Sequence, residues 1–517
     1  VSLTLGLPLV ILGLLYAYSK SRDQSYLIAA RRVTMVLAIN FALGAVTGTL
    51  VEFGLVQIWP GTILAIASFA LAPLALELIA FANEIAFLIL FIATLGRIRA
   101  TYSMLIIFIY WIFALFSGLL ITSVNSWLVA PWGTGSVPSA LYPFMPSYGP
   151  LYTDPQKLVA LKILLLASGQ PLQALLQIPN VSADIGIILT DPMAALASPY
   201  AVVSIAHNLV AAVIIGSSLA LAAYGYRYYK SRDERYLRLL RAFYLPLLVL
   251  ILIQPTILGH FMGEMVVEYN PTKFAMMEGA RATYYDPLVA LLAYGDPSHP
   301  IIGFDRLASK CDSFGGKTVG DLASSLGLDK STLLNLADKL GVKVDPSRLD
   351  TVLATSLRDL CLRDLSEAEK RIDLVHYTYY TKIAGGVVAF VSAIGLAGLL
   401  YNIPIISPLT RALLGFLRRD SAKIFLLALL IFLGAVVAAF FGWFVREVGR
   451  KPWTVYGLLY PEEVVSISPI AGETSFIVVA SLIILGVNLG GLYAMYIVAT
   501  RELRFLDLLK KGLGLER

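Results

Sequence analysis

The stretch Ile424–Trp453 reads IFLLALLIFLGAVVAAFFGWFVREVGRKPW. From Ile424 to Val445 it holds no charged residue. A bilayer core takes about 20 apolar residues of helix, so residues 422–446 form a membrane span. The run then breaks into Arg446-Glu447, Gly449-Arg450-Lys451 and Pro452-Trp453. Gly442, Gly449 and Pro452 let the backbone turn tightly where the span ends. Dense charge between Trp443 and Trp453 is the usual make-up of an interfacial anchor, and taken alone the segment needs no other role.

Eight further runs have the same character, at about 1–18, 33–51, 62–96, 102–128, 199–226, 237–258, 377–402 and 473–500. The run 62–96 is too long for a simple span and is expected to tilt or to continue past the bilayer. Composition agrees with lipid as the main solvent. The 517 residues are 58% hydrophobic and 14% charged, with a mean hydropathy of +0.77, where a soluble protein carries roughly 25% charged residues. The expected fold is all-α, a polytopic membrane helix bundle of about nine transmembrane helices. Residues 1–258 hold spans 1–6, 259–376 a long polar loop, and 377–517 spans 7–9 with a tail. The chain opens on Val1-Ser2-Leu3, already apolar, so a piece is expected to precede it. No internal repeat stands out at this level.

Lys and Arg collect in alternate loops: Lys20, Arg22, Arg31 and Arg32; Arg97 and Arg99; Arg227, Lys230, Arg232, Arg235 and Arg238; Arg411, Arg418, Arg419 and Lys423; and Arg501, Arg504, Lys510 and Lys511. The positive-inside rule makes that side cytoplasmic, which places the N-terminus outside the cell membrane and the C-terminus inside. A net charge of +6 spread through short loops reflects topology and gives no footprint for nucleic acid. The segments 52–61, 129–198 and 259–376 then face outward. Residues 316–370 have helical periodicity with cap signals such as Asp329-Lys330-Ser331, so a small helical insert is expected there. Cys311 and Cys361 flank it. They are either a disulfide, which an outward loop permits, or two free buried thiols; no zinc spacing exists.

Ionisable groups at membrane depth are costly and mark function by default. Of four histidines, only His207 lies within a span; His260, His299 and His376 lie in or beside the long loop. A neutral imidazole there is either an axial haem ligand or a histidine satisfied between helices. Glu77 and Glu84 lie seven residues apart in one run, on one helix face. That pattern suits a proton path, a cation site or cofactor ligands. A structural role would need a basic partner, for which the spans offer Lys382.

The order of residues in Gly449-Arg450-Lys451-Pro452-Trp453, followed by Val455-Tyr456-Gly457, resembles the GRxPW signature of subunit I of the cytochrome bd quinol oxidases. Further segments resemble that family in the same order: Asn40–Gly48 with Glu52-Phe53 and Trp59, Ala72–Glu77, Ser198–His207, and Asn270-Pro271-Thr272-Lys273 through Glu278. The resemblance runs over nearly the whole chain except the helical insert.

It implies a subunit that oxidises quinol at the outer face and reduces oxygen to water through haem b and haem d, generating proton motive force. The long loop would be the quinol loop, with Lys273 and Glu278 at the quinol site and Glu278 accepting a proton. His207 would ligate the iron of the low-spin haem. Glu447, itself a possible iron ligand, would lie at the high-spin pair with Trp443 packed nearby. Arg450 would stabilise a haem propionate or the quinol site, and Glu77 and Glu84 would serve the high-spin pair and its proton supply. Implied partners are quinone, the lipid bilayer and a second membrane subunit, either subunit II or a complete paralogue of subunit I.

Three positions depart from the family. Ala384 stands where its low-spin haem has a Met ligand, Ser103 where span 4 has a His, and the chain begins beyond the family's span 1 His. The alternative implied is a haem-poor paralogous subunit that structurally partners a complete subunit I. A transporter built on Glu77 and Glu84 is the reading from another class. It gives the Gly449–Trp453 segment no purpose.

Overall fold

The computed structural model describes residues 2–184, 189–467 and 473–500. Among these, nine helices are long and apolar enough to cross a membrane. They are Ser2–Ser21, Gln24–Leu50, Pro73–Thr94, Ala100–Val129, Pro199–Ser231, Glu234–Tyr269, Ile372–Tyr401, Asp420–Val448 and Ile477–Met495, called spans 1 to 9 below. Arg501, Arg504, Lys510 and Lys511 lie outside the described residues. Leu78, Ile89, Val202, Val391 and Leu482 are among many apolar side chains left exposed on the spans, as expected where lipid is the solvent.

Span 3 belongs to a 35-residue helix, Pro60–Thr94. At 1.5 Å per residue it is about 52 Å long, so it continues well past a 30 Å hydrocarbon core. Span 6 is one rod of two α-helical pieces, Glu234–Ile253 and Gly259–Tyr269, joined by a π-helical turn at Gln254–Leu258. Such turns arise where a residue disturbs the i→i−4 ladder, and Pro255 lacks the amide that ladder needs.

A repeat that the sequence reading missed appears at the short-loop end. Spans 1 and 2 are joined by Ser21-Arg22-Asp23, and spans 5 and 6 by Ser231-Arg232-Asp233, 210 residues later. The two turns match bond for bond. Arg22 and Arg232 both have φ 57°, and their amides donate to Tyr18 and Tyr228 carbonyls, each at 2.9 Å. The Asp23 and Asp233 amides donate to the preceding Ser Oγ at 3.2 Å, and the carboxylates accept from Ser25 and Arg235 amides at 2.9 Å. The same 210-residue register sets Gly6 against Gly216, where spans 1 and 5 cross. A Cβ on Gly6 would lie 2.5 Å from Gly216 Cα, and one on Gly216 2.6 Å from Gly6 Cα, so only glycine permits this approach.

At the opposite, long-loop end the two long connections fold together over the bundle. One apolar core joins Tyr142, Phe144 and Val159 of the first to Phe274, Ile301, Leu333 and Leu365 of the second, with Trp453 and Tyr456. The expected insert is present as four helices, Val319–Ser325, Lys330–Leu340, Pro346–Leu353 and Leu357–Glu369, and Asp329 caps the second by accepting from the Thr332 amide at 2.7 Å. Cys311 and Cys361 form a disulfide, with Cα atoms 5.8 Å apart. The insert grips the first loop: Gln156 Nε2 donates to Leu326 O at 3.0 Å and Asn180 Nδ2 to Lys339 O at 3.3 Å. The only strands among the described residues are Thr134–Gly135 and Tyr148–Leu151, a short antiparallel ribbon, so the molecule is all but wholly helical.

Candidate functional site

Span 8 ends at Val448, and Gly449 caps it with its amide on Val445 O. The chain then doubles back. Trp453 N donates to Arg450 O at 3.2 Å, Thr454 N to Leu459 O at 2.7 Å, and Tyr456 N to Leu128 O at the end of span 4 at 3.0 Å. The Gly449–Gly457 segment is therefore bolted to spans 4 and 8 together.

That turn presents a dense polar cluster. Arg450 Nη2 donates to Glu447 Oε2 at 2.6 Å, and Asn125 Nδ2 of span 4 donates to Glu447 Oε1 at 3.0 Å. Arg446 points inward, 7% exposed. Its Nη1 donates to Ser204 Oγ of span 5 at 2.7 Å and its Nη2 to Ser126 Oγ of span 4 at 3.1 Å, while its guanidinium stacks 5.2 Å from the Trp443 ring. Trp443 is half exposed and closes this side.

Lys273 reaches the cluster from the long loop. Its helix, Pro271–Met277, is capped by Asn270 Oδ1, which accepts from Lys273 N at 3.1 Å; Thr272 Oγ1 and Tyr456 OH bond at 2.7 Å. The Lys273 stem lies on Gly449, where a Cβ would come within 2.9 Å of Lys273 Cγ. Burial, and then the charges of Arg446 and Lys382, push its ammonium down to about 7. Glu278, the residue that caps the end of that helix, is also buried. It accepts from Tyr380 OH at 3.0 Å, and burial raises its carboxyl above the ordinary range.

His207 is one turn along span 5 from Ser204. Gln254 Nε2, from the π-turn of span 6, approaches its Nδ1 at 3.3 Å and donates to its carbonyl at 3.1 Å. Lys382 and Arg446 are the cations within electrostatic reach of this ring. Lys382 stacks 5.5 Å from the Tyr379 ring and packs along Gly442, so the structure sets it beside His207 and Lys273. Ala384 is exposed on the same helix.

Glu77 and Glu84 occupy a second place. Glu77 Oε1 accepts from Ser117 Oγ of span 4 at 3.1 Å, two turns along that helix from Asn125, about 12 Å. Glu84 is buried deeper, 4% exposed, within electrostatic reach of Glu77 and of the buried Tyr110. The structure thus gathers His207, Lys273, Glu447, Arg450 and Trp443, sets Glu278 at their edge, and leaves the two span 3 acids apart. The sequence reading did not single out Arg446, Asn125 or Gln254. Arg446 carried a signal in being a charge on the last apolar turn of a span, but nothing local distinguishes it from an interface arginine.

The cluster contains four basic side chains, Lys273, Lys382, Arg446 and Arg450, and one carboxylate, Glu447. Several buried donors have no hydrogen-bond partner among the described residues: Arg446 Nε, Arg450 Nε and Nη1, Tyr200 OH and Trp453 Nε1. Arg and Lys only donate. An occupant that accepts hydrogen bonds and brings negative charge, such as the carboxylates of a haem, fits these donors. The chain also offers the His207 imidazole, whose Nδ1 lies 3.3 Å from Gln254 Nε2.

Comparison with known proteins agrees. Residues 1–503 match the family model for cytochrome bd terminal oxidase subunit I. A Bacillus subtilis protein provisionally assigned as cytochrome bd menaquinol oxidase subunit I is 23% identical over 473 residues, spanning 90% of this chain and 85% of that one. The bd oxidase structure from Geobacillus thermodenitrificans superposes with a TM-score of 0.64 at 18% identity, covering 96% of this chain and 93% of that one, which is a likeness of fold. With residues 1–503 of its 517 matched by that family model, the chain belongs to the cytochrome bd terminal oxidase subunit I family.

Proposed function

We propose that this chain is a haem-binding subunit of a quinol-oxidising, oxygen-reducing membrane complex, working at the long-loop end of its bundle. The single observation that carries the reading is the excess of buried basic side chains and unpartnered donors gathered around Glu447, beside His207. A haem supplies one-electron transfer that no side chain can. Low-spin haem b beside His207 and a high-spin haem b and d pair beside Glu447 are the cofactors this assignment calls for.

The chain's own groups would handle binding and protons. The alternate-loop bias of Lys and Arg puts the long-loop end outside and both helix-turn loops in the cytoplasm. Quinol would reach the edge of the cluster between Lys273 and Glu278. Lys273, held near 7, can change charge at working pH, and Glu278, raised by burial, can take a quinol proton and pass it outward. Arg450 holds Glu447 in place. Glu77 and Glu84, in span 3, would bring protons from the cytoplasm toward the oxygen-reducing haem, so that release and uptake on opposite sides build proton motive force. The partner is a second membrane subunit, subunit II or a complete paralogue.

One observation favours the haem-poor alternative: span 7 offers Ala384 where the family has a thioether. The test is a reduced-minus-oxidised spectrum and quinol oxidation by the purified complex. The reading expects haem bands assignable to this chain, with turnover lost at least tenfold in Lys273→Ala and Glu278→Gln. A colourless chain within an active complex would leave it the structural role.

A further inference from the structure

Arg446 has a place that neither the family signature nor the ion pair of Glu447 explains. It is fixed on three sides, by Ser204 Oγ at 2.7 Å, Ser126 Oγ at 3.1 Å and the Trp443 ring at 5.2 Å. All three supports are uncharged. The neighbouring acid, Glu447, is already held by Arg450 and Asn125. A buried charge positioned by neutral hydroxyls has geometry without compensation, which is unfavourable unless an anion joins it. The Nε atom, unpartnered among the described residues, and the second N–H of each Nη are the donors left for that anion.

Two facts narrow the anion. Arg446 lies between spans 4, 5 and 8, with Trp443 on the exposed side, so a lipid phosphate in the surrounding bilayer does not reach it. Ser204 is also one turn from His207, on the same face of span 5. Whatever Arg446 grips is held next to the imidazole. We propose that Arg446 is a carboxylate-gripping residue of this chain, positioned by Ser126 and Ser204 to bind a propionate of the porphyrin whose iron faces His207. The planar guanidinium suits a carboxylate. Its fixed positive charge also favours the electron-richer, reduced state of that porphyrin, in a chain where Ala384 offers no thioether to do so. The inference rests on the haem reading above.

The test uses the assembled complex, produced under haem limitation and titrated with iron protoporphyrin IX or its dimethyl ester, followed by absorbance. If Arg446 grips a carboxylate, wild type binds the free acid at least tenfold tighter than the diester. That preference shrinks several-fold in Arg446→Gln and is largely kept in Arg446→Lys. In redox titrations the reduction equilibrium of Arg446→Gln moves about tenfold toward the oxidised form, a fall of 59 mV for one electron. Ser204→Ala, a milder change, moves both readouts the same way by less and serves if Arg446→Gln does not fold. Equal binding of the two porphyrins by wild type overturns the inference, as does full preference with unchanged potential in Arg446→Gln. If neither porphyrin binds wild type, the haem reading fails, and this inference with it.

Discussion

Spans 1–2 and spans 5–6 are one hairpin used twice. Their Ser-Arg-Asp turns coincide bond for bond, and their first helices meet glycine to glycine on a register of 210 residues. Toward the long-loop end the likeness fails. Gln254 and Pro255, which open the π-turn of span 6, correspond to Gly44 and Ala45 in the unbroken helix Gln24–Ile58. Lys273, buried in the polar cluster near the start of the helix after Asn270, has no matching lysine at the start of the helix Pro60–Thr94. A duplicated scaffold has kept its turn and its crossing point, while the two outer reaches have taken different chemistry. The difference separates what holds the bundle together from what was added for a task.

The largest effect should follow from breaking the shared crossing. Gly6→Val or Gly216→Val puts a Cβ about an ångström inside contact distance of the opposite backbone, which cannot swing away as a side chain does. Overpacking of this kind costs roughly 3 kcal/mol or more. Either variant should give little folded protein in detergent, or a sharply lower melting temperature. If both melted like wild type, the glycine contact would not be the axis of the repeat.

Lys273, which the first hairpin's continuation lacks, gives the next contrast. With a pKa near 7 in the folded chain and about 10.4 unfolded, Lys273 is neutral when folded and protonated when unfolded across that interval. The unfolded state then binds more protons, so stability rises with pH from 7 upward and is flat below. In haem-depleted complex the rise should approach about 1.4 kcal/mol per pH unit and vanish in Lys273→Met, as read by denaturation at pH 7, 8 and 9. An unchanged slope in that variant would place the titrating group elsewhere.

Gln254 against Gly44 sharpens the comparison at the imidazole. Gln254→Leu removes its two contacts to His207, and loss of a partner that orients a metal-ligating histidine costs about 10–100-fold in metal affinity. Haem retention after detergent washing should fall accordingly. Gly44→Ala meets nothing within 4 Å and should leave both stability and spectrum unchanged. Equal haem loss in the two variants would deny Gln254 its positioning role.

These contrasts also explain what the sequence could and could not convey. The nine spans were legible because length and hydropathy are local properties, and lipid demands them of every helix. The GRxPW-type turn was legible because Gly449, Arg450, Pro452 and Trp453 are contiguous. Arg446 was not, because its meaning lies in Ser126 and Ser204, 320 and 242 residues away in sequence. The repeat was overlooked for a different reason. Leu, Ile, Val and Ala exchange freely on lipid-facing surfaces, so only a few positions, Gly6, Lys20 and Ser21-Arg22-Asp23 among them, keep the register against a background without pattern. Lys382, considered as a partner for the span 3 acids, proved to belong with His207, since depth along a helix does not tell which neighbour it faces.

The smallest effect belongs to the part of the hairpin that did not change. Asp23 and Asp233 cap their helices through equivalent backbone amides; the Ser25 amide holds the Asp23 carboxyl below the ordinary range, and the Arg235 side chain, followed by its amide, does so for Asp233. Both caps therefore remain charged as pH falls through the usual carboxylate range. Asp23→Ala and Asp233→Ala should each lower the melting temperature slightly and by similar amounts. Neither should alter a haem spectrum or quinol turnover, because the turns lie at the far end of the bundle from His207 and Lys273. Marked inequality between the two would show that the turns only look alike, with one of them carrying a load, such as contact with a partner subunit, that its copy does not share.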